Sequence, residues 1–393
     1  MGLLRHNQEG FYNWVRLDGV DESSDSFQYD TGSGEIAPPL YYCCFLGFFE
    51  IVQTLITLAQ EEDMTTSVIR DGSMRKIVRV INAQGGFYGN ALQAASAKGH
   101  EAIVQLLIDN GAYIHIQGGQ YGNALQAAST RGHKTIVKLL IDEGADIHIE
   151  GGHYGNALQA ASAGGHEAII QLLLDEGAYA NAQGGYFGNA LHAASWGGYK
   201  AIVQLLIDEG VDVNGRGGGN QEYIDALQAA SKGGHMAIVQ LLVDEGADIN
   251  AYCEHYYYGN ALQAACTGGY EAIVQLLIDN GVDVNARGGR YGNALQVASD
   301  GGYKAIVQLL IDKGADVNAQ GGYCGNALQA ASRRGHKTIV QLLIDEGADI
   351  NAQSGYRGNA LRAASEGGHK TIVQLLIDEG ADVNAQGGRY NAL

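Results

Sequence analysis

The sequence predicts an all-α repeat solenoid, in which helix-turn-helix units stack on one another and are joined by β-hairpin fingers. The tripeptide Asn-Ala-Leu recurs at a nearly constant spacing of about 33 residues, a period typical of arrays of small helical units. Each unit also carries apolar residues with helical periodicity, followed by adjacent glycines that suit a tight turn. Hydrophobic residues make up 46% of the chain, which is enough for a continuous core.

The repeats are counted from the asparagine of that tripeptide. The spacing is longer on both sides of Asp225, which takes the place of the asparagine between Asn189 and Asn260. A last and slightly shorter interval leads to Asn391, just before the chain ends. We therefore expect nine repeats and the truncated start of a tenth over residues 85–393. The regularly spaced asparagines are Asn90, Asn123, Asn156, Asn189, Asn260, Asn293, Asn326 and Asn359.

Each repeat has recognisable helix boundaries. The first helix opens at Asn90, a good N-cap, and Gln93 at the third helical position predicts a capping box. A second helix carries Ile103 and Leu107 on one face and ends at Gly111. The extended stretch that follows turns on two glycines and predicts a finger. Because neither helix can bury its apolar face alone, the repeats must stack.

The unit reads Gly-Asn-Ala-Leu-Gln-Ala-Ala, then Gly-His, Ile-Val-Gln-Leu-Leu-Ile and Gly-Ala-Asp-Val-Asn-Ala, and it resembles the ankyrin repeat. The resemblance covers residues 85–393. It implies stacked ankyrin units that bind a protein partner on a concave surface of fingers and first helices. One departure is systematic, because the family's Thr-Pro-Leu-His stands here as Asn-Ala-Leu-Gln. The lost proline predicts somewhat lower rigidity at each helix start.

The amino-acid sequence of the repeats shows a second resemblance. The string Gly-Gly-x-Tyr-Gly-Asn-Ala-Leu-Gln-Ala-Ala-Ser, preceded by Trp14-Val-Arg-Leu17 and Pro39-Leu-Tyr-Tyr42, is similar to ankyrin arrays of filamentous fungi. Many of those arrays follow a NACHT nucleotide-binding module in NLR-like receptors. The similarity implies an alternative function, the ligand-sensing arm of a signalling NTPase receptor whose nucleotide-binding part is absent from this chain.

The two ends differ from the array. Residues 1–37 form an N-terminal segment that we expect to be partly flexible, and residues 38–84 predict a divergent capping repeat with an insertion between Thr57 and Ile81. The chain stops inside a helix start, which predicts an uncapped end and either a truncated gene product or a sequence fragment. A basic cluster in the insertion is interpreted as part of a solvated loop or an irregular repeat rather than a site for an acidic partner, and it consists of Arg70, Arg75, Lys76 and Arg79.

The net charge and the cysteines limit which partners and which cellular compartment we expect for this chain. Lys and Arg total 24 against 43 Asp and Glu, a formal charge of −19, which disfavours nucleic acid and anionic membranes as partners. The five cysteines form no regular framework, so we expect free thiols in a reducing compartment. Neither an export signal nor a lipid anchor nor a membrane insertion is predicted. We expect an intracellular, cytoplasmic protein that is monomeric unless its uncapped end self-associates.

No residue pattern predicts catalysis, a cofactor or a metal site. Cys253-Glu254-His255 lacks a second pair at zinc spacing, and no phosphate-binding loop occurs. The repeated Asp-Glu pairs at helix ends are interpreted as structural. One repeat position alternates between histidine and tyrosine, which a ligand or catalyst would not tolerate, so we expect it to bond the inter-helix turn. Its histidines are His100, His133, His166, His235, His336 and His369.

The nine copies separate repeated positions from variable ones. One variable position follows Ala-Ala-Ser at the end of the first helix, and the other is the fingertip, which is rich in aromatic residues. The fingers before Asp225 and Asn260 are longer by three and two residues. Together with Trp196 at the variable helix position, these insertions favour a central contact at repeats four to six over tolerated drift in loop length. The alternatives are that the regular tyrosines only brace the turns, or that the array is a structural spacer. The predicted contact residues are Trp196, Tyr186, Phe187, Tyr223, Tyr252, Tyr256, Tyr257, Tyr258, Arg290 and Tyr291.

Overall fold

The structure is a computed structural model of the chain. In the part that it describes, the regular elements are 21 α-helices, and the chain divides into two compact units at residue 190. We call the described residues up to 190 unit 1 and those from 191 onward unit 2. The structure describes residues 39–65, 76–217, 225–252, 258–323, 325–354 and 358–385.

The helices follow the predicted alternation. From α4 onward, first helices of seven or eight residues alternate with second helices of nine residues. Helices α1 to α9 lie in unit 1, and they are Pro39–Leu46, Phe49–Thr65, Lys76–Ile81, Ala91–Lys98, Glu101–Asp109, Ala124–Arg131, Lys134–Asp142, Ala157–Gly164 and Glu167–Asp175. Helix α10 starts at the unit boundary, and α10 to α21 are Ala190–Gly197, Lys200–Asp208, Ala226–Gly233, Met236–Asp244, Ala261–Gly268, Glu271–Asp279, Ala294–Gly301, Lys304–Asp312, Ala327–Arg334, Lys337–Asp345, Ala360–Glu366 and Lys370–Asp378.

The first helix of each repeat begins at the predicted cap. The Asn123 side chain accepts the backbone N–H of Gln126, and Gln126 Oε1 accepts the backbone N–H of Asn123 in return. The capping box is thus confirmed here and in the repeats that open at Asn156 and Asn293. At Asn90, where it was predicted, only one half is formed, in which the Asn90 side chain accepts the Gln93 N–H. The helix that begins after Asn123 ends at Gly132, whose φ of +83° is left-handed, as glycine allows.

The core of each unit runs through the first helices. These helices pack against one another from repeat to repeat, because alanines such as Ala127 and Ala128 keep them thin and are fully buried. The second helices cover them with a buried stripe, for example Ile136, Val137 and Leu140 in α7. Stability therefore depends on contacts between adjacent repeats rather than on any single repeat.

The capping region is less regular than the array. Helices α1 and α2 form the predicted pair, and α1 buries most of its residues against α4. Helix α2 runs for 17 residues, about twice the length of a second helix elsewhere. The predicted N-terminal segment 1–37, much of the insertion with Arg70 and Arg75, and the truncated repeat from residue 386 all lie outside the described residues.

No helix among the described residues is both long and apolar enough to cross a lipid bilayer.

Candidate functional site

The fingers are short turns closed by a single antiparallel bridge. In unit 1 the Gly118 N–H donates to the Gly122 carbonyl oxygen at 2.7 Å. Neighbouring fingers are also linked, since the Gln120 N–H donates to the Phe87 carbonyl oxygen at 2.9 Å and the His153 N–H donates to that of Gln120. The fingertips of unit 1 are therefore joined by backbone hydrogen bonds from one repeat to the next.

This close approach explains the paired glycines. A Cβ atom placed on Gly152 would lie 2.3 Å from the Tyr121 carbonyl carbon, and Gly152 has a φ of +62°. In unit 2 a Cβ on Gly322 would lie 2.2 Å from the Tyr291 carbonyl carbon. The predicted glycine turn is confirmed, and its second glycine is required by the preceding finger.

The glutamine of Asn-Ala-Leu-Gln has a further partner that the sequence did not reveal. Gln93 is buried, and its Nε2 donates to the carbonyl oxygens of Ile116 at 3.2 Å and Gly122 at 2.9 Å in the next repeat. In one repeat His192 takes this position, and its Nε2 lies 2.9 Å from the Gly215 carbonyl oxygen. The helix start for which lower rigidity was predicted is thus tied to the following finger.

The recurring histidine also ties repeats together. His133 Nε2 lies 3.1 Å from the Ala97 carbonyl oxygen, and His235 Nε2 lies 2.8 Å from that of Trp196. The acceptor belongs to the last turn of the first helix in the preceding repeat. Burial lowers the pKa of His133, which favours the neutral imidazole at this residue.

Aromatic rings stack along the fingers of unit 1. Tyr88 and Tyr121 have ring centroids 5.6 Å apart, Tyr121 and Tyr154 are 6.0 Å apart, and Tyr154 and Phe187 are 6.4 Å apart, all nearly parallel. Burial raises the pKa of Tyr121 to about 12. The bracing role considered for the regular tyrosines fits this row, which includes the predicted contact residue Phe187.

Other predicted contact residues are exposed. Tyr186 stacks on His153 with centroids 4.8 Å apart and keeps 43% of its surface exposed. Trp196 at the end of α10 is 36% exposed, and Tyr252 is half exposed. Arg290 is also exposed. These side chains are available to a partner.

The lengthened finger before Asn260 is only partly described. Tyr258 is 4% exposed and packs with Ala229 and Ala264, with the Lys232 ammonium 5.1 Å from its ring centroid. It therefore offers little surface for contact. Tyr223, Tyr256 and Tyr257 lie outside the described residues, so their assignment stays a prediction.

Unit 2 contains an ion-pair cluster at the variable helix position. The Asp300 carboxylate accepts hydrogen bonds from Arg333 and from Arg334, whose Nε and Nη2 lie 3.1 Å and 3.0 Å from its two oxygens. These arginines lower the pKa of Asp300 against the raising effect of its burial. The cluster was missed in the sequence, although Asp300 and Arg333 occupy the same variable position one repeat apart.

The cluster borders an open cavity of about 380 Å³. The cavity lies where the last turns of α14, α16 and α18 meet the finger that carries Tyr291. Tyr291 is thus the predicted contact residue that contributes to the cavity, and Arg290 precedes it. The lining residues are Thr267, Tyr291, Val297, Asp300, Gly301, Arg334 and His336.

Below the fingers, asparagines bridge adjacent repeats in unit 2. Asn318 Nδ2 donates to the Gly347 carbonyl oxygen at 3.1 Å, and its Oδ1 accepts the Asp349 N–H at 2.7 Å. We call this pair of bonds the asparagine bridge. It recurs at Asn214, Asn285 and Asn351. In unit 1 Asn82 forms it, whereas His115 and His148 stand at this position in the next two repeats.

The described residues contain no group of three His, Cys, Asp or Glu side chains that could hold a metal ion. Cys43, Cys44 and Cys266 are free and buried, and burial raises the pKa of Cys43 to about 11. A buried thiol with a raised pKa is a poor nucleophile.

Comparison with known proteins agrees with this architecture. The model of the family described as ankyrin repeats in three copies matches residues 42–151, 126–217, 226–321 and 295–387. The azaphilone pigments biosynthesis cluster protein L of Monascus ruber is 38% identical over 113 residues, which is 28% of this chain. The match spans only 21% of that relative's length.

A solved structure, the human ASB11 ankyrin repeat domain, has 23% identity and a TM-score of 0.49, and covers 57% of this chain and 98% of its own. The family model alone extends over well more than half of the 393 residues. Its matches include the repeats whose caps, fingers and stacked helices are described above. The chain therefore belongs to the ankyrin-repeat family.

Proposed function

We propose that the chain is a non-catalytic protein–protein interaction module, which binds a protein partner through the face formed by its fingers and first helices. Ankyrin repeats are interaction modules that present an extended binding surface. The main observation in support is that side chains at repeated positions contact the adjacent repeat, whereas several side chains at variable positions are exposed. Gln93 and His133, at repeated positions, bond the adjacent repeat, whereas Trp196, Tyr186 and Tyr323, at variable positions, remain exposed.

The exposed side chains have the chemistry of interface anchors. Trp, Tyr and Arg are enriched among residues that dominate binding energy, because each buries a large area at little entropic cost. Trp196, Tyr186 and Tyr323 supply rings, and Arg290 supplies a guanidinium whose carbon lies 5.3 Å from the Tyr323 ring centroid. Positions that stacking does not constrain can vary from repeat to repeat, as a surface shaped for one partner requires.

Two further parts of the proposal have support of their own. An intracellular location is supported by the buried free thiols of Cys43, Cys44 and Cys266, which suit a reducing compartment. The absence of catalysis is supported by the structural contacts of the recurring histidines, such as His235 with the Trp196 carbonyl oxygen. The receptor-arm hypothesis stays a prediction, because no described residue bears on it.

Site-specific photo-cross-linking tests the proposal. A benzophenone amino acid placed at Tyr186, Trp196 or Tyr323 in the full chain should give protein adducts in a filamentous-fungal lysate, identified by mass spectrometry. The same probe at Asp244, exposed at the end of a second helix, should give none. Adducts confined to Asp244, or none at any position, would contradict the proposal.

A matched variant strengthens this test. Trp196→Ala introduces the residue found at the same position in two other repeats, Ala97 and Ala163, so the fold should tolerate it. Adduct yield from the probe at Tyr323, which lies in unit 2 with Trp196, should fall severalfold in this variant, because an anchor of the contact has been removed. An unchanged yield would show that Trp196 is not part of the contact.

A further inference from the structure

We propose that the cavity of unit 2 binds a short acidic peptide segment of the partner protein, with a carboxylate of that segment seated against Arg334. The inference rests on the proposed function, because it names the partner chemistry at part of the same face. Four observations support it: which charges are accessible, what forms the cavity floor, how Arg334 departs from the other repeats, and where the cluster lies in an acidic chain.

The accessible charge of the cluster is positive. The Asp300 side chain is 9% exposed and is covered by the guanidinium groups of Arg333 and Arg334, whereas Arg334 is 51% exposed and lines the cavity. The formal balance of these three groups is one positive charge. Arg290 lies over the Tyr323 ring, and Arg333 lies 5.8 Å from the same centroid, so a third guanidinium extends the cationic surface.

The cavity floor is apolar and small. Val297 stands where the other eight repeats have alanine, and with Tyr291 it lines the cavity below the charged rim. The volume of about 380 Å³ lies at the lower end of the range of roughly 300–1,000 Å³ for ligand pockets. This space suits a few side chains of an extended segment, with an apolar residue on Val297 and an acidic one at the rim.

Arg334 breaks the pattern of its repeat position. Six other repeats have glycine there, namely Gly164, Gly197, Gly233, Gly268, Gly301 and Gly367. Two repeats of unit 1 also carry a basic residue, but Lys98 lies 4.4 Å from the Phe45 ring centroid and Arg131 lies 5.5 Å from that of Tyr121. Arg334 instead borders the cavity. Arg131 is therefore a matched control, with the same residue type at the same repeat position.

The surrounding charge makes this site selective. The chain carries a formal charge of −19, so most of its surface repels an acidic segment. A guanidinium is a planar donor that matches carboxylate oxygens, and Arg334, at 51% exposed, is the more accessible of the two arginines that bind Asp300. A segment with a single acidic run can therefore dock here in one register, which is the kind of specificity that complementary charge provides.

Selection from a displayed library of random nine-residue peptides on the immobilised full chain tests the inference. We expect Asp and Glu to be enriched in the bound peptides at low salt. The best peptide, synthesised with a fluorescent label, should bind at least about tenfold more tightly than its Asn/Gln counterpart. Arg334→Gly should remove that advantage, and Arg131→Gly should leave it intact.

Further variants and peptides distinguish the possible results of this experiment. Thermal unfolding of the Arg334→Gly variant checks its fold, and Thr267→Trp, which fills the cavity but keeps both arginines, should weaken binding by a similar factor. Selected peptides that are neutral or basic, or binding that ignores Arg334, would overturn the inference and leave the proposed function standing. A phosphoserine peptide that binds about tenfold better than the Glu peptide would overturn the carboxylate assignment. If the photo-cross-linking probes capture a protein but the library selection enriches no peptide, the partner does not bind through a short segment.

Discussion

The two units share one repeat but differ in the side-chain contacts that join adjacent repeats. In unit 1 the fingers carry a row of stacked rings from Tyr88 to Phe187, while histidines stand at two positions of the asparagine bridge. In unit 2 the asparagine bridge recurs below the fingers, as at Asn318, and Arg290 and Tyr323 occupy successive fingertips. The finger backbone bond occurs in both units, since the Tyr323 N–H donates to the Arg290 carbonyl oxygen at 2.9 Å, so the units differ in the side-chain contacts that add to it.

The difference has a functional side. In unit 1 the basic residues at the end of the first helix are used to cover rings, as Arg131 covers Tyr121. In unit 2 the corresponding Arg334 pairs with Asp300 beside a cavity. The same position serves packing in one unit and forms a charged surface in the other.

The largest expected change in stability tests the row of stacked rings in unit 1. Tyr121→Ala should lower the free energy of unfolding by about 4 kcal/mol, since a buried ring stacked on two neighbours is lost. Tyr323→Ala, at a fingertip that is 42% exposed, should cost less than about 1 kcal/mol. Urea denaturation followed by circular dichroism measures both, and equal losses would remove the contrast between the units.

The next effect tests the contact between fingers. Gly152→Ala should cost about 3 kcal/mol, because the Cβ atom meets the Tyr121 backbone at a positive φ. Gly144→Ala is the matched control, since its φ of +87° is also positive but its Cβ would meet nothing within 4 Å, and it should cost about 1 kcal/mol. The unit 2 variant Gly322→Ala should behave like Gly152→Ala. A loss at Gly322 no larger than that at Gly144 would mean that finger contact matters in one unit alone.

A third effect concerns pH. Asp225 caps α12 where the other repeats have asparagine, and burial raises its pKa from 3.8 to about 7. The folded chain therefore holds a proton that the unfolded chain releases near its usual pKa, so stability should fall as pH rises from about 4 to about 7. Asp225→Asn should remove that decline and stabilise the protein at pH 8 by about 2 kcal/mol.

The reciprocal change in unit 1 provides the control. Asn123→Asp places a carboxyl group at an equally buried cap and should introduce the same decline between about pH 4 and pH 7. Urea denaturation at pH 4, 6 and 8 compares the variants with the parent chain. A parent whose stability is flat over this range, and which Asp225→Asn leaves unchanged, would contradict the raised pKa.

The smallest effect tests the asparagine bridge. Asn318→Ala should cost about 1 kcal/mol, because two exposed hydrogen bonds to the next repeat are lost. His148→Ala in unit 1 loses a ring contact with Tyr179 at 4.0 Å and should cost less than about 0.5 kcal/mol. Hydrogen exchange at the Asp349 amide should accelerate in Asn318→Ala only. Equal losses of stability in Asn318→Ala and His148→Ala would show that the asparagine bridge does not distinguish the two units.

Sequence predicted the elements of the fold because their causes are local. The cap at Asn123 and the box with Gln126 depend on residues three apart, and the helical stripe of Ile136 and Leu140 depends on the helical period. The turns were predicted from adjacent glycines, because glycine readily adopts a positive φ. The regular recurrence of the unit then requires stacking, since isolated units leave their apolar faces exposed.

The contacts between repeats were harder to predict. Gln93 bonds carbonyl groups 23 and 29 residues later, and the offset between adjacent repeats must be known before these partners can be identified. Asp300 and Arg333 could have been paired by aligning the variable positions, because they differ by one period. The burial of Tyr258 was also not predictable, because nothing in a run of three tyrosines sets its last member apart.

The hydrogen bond from each glutamine to the next finger also bears on how such a gene can change. Gln126 bonds the finger that closes at Gly155, and Gln159 bonds the one that closes at Gly188, so each bond joins only adjacent copies. Duplication of one whole unit by recombination would recreate the bond at both new junctions. A gain or loss of part of a unit would break it. We therefore expect such an array to lengthen or shorten by whole repeats, because only whole repeats preserve the bond from each glutamine to the next finger.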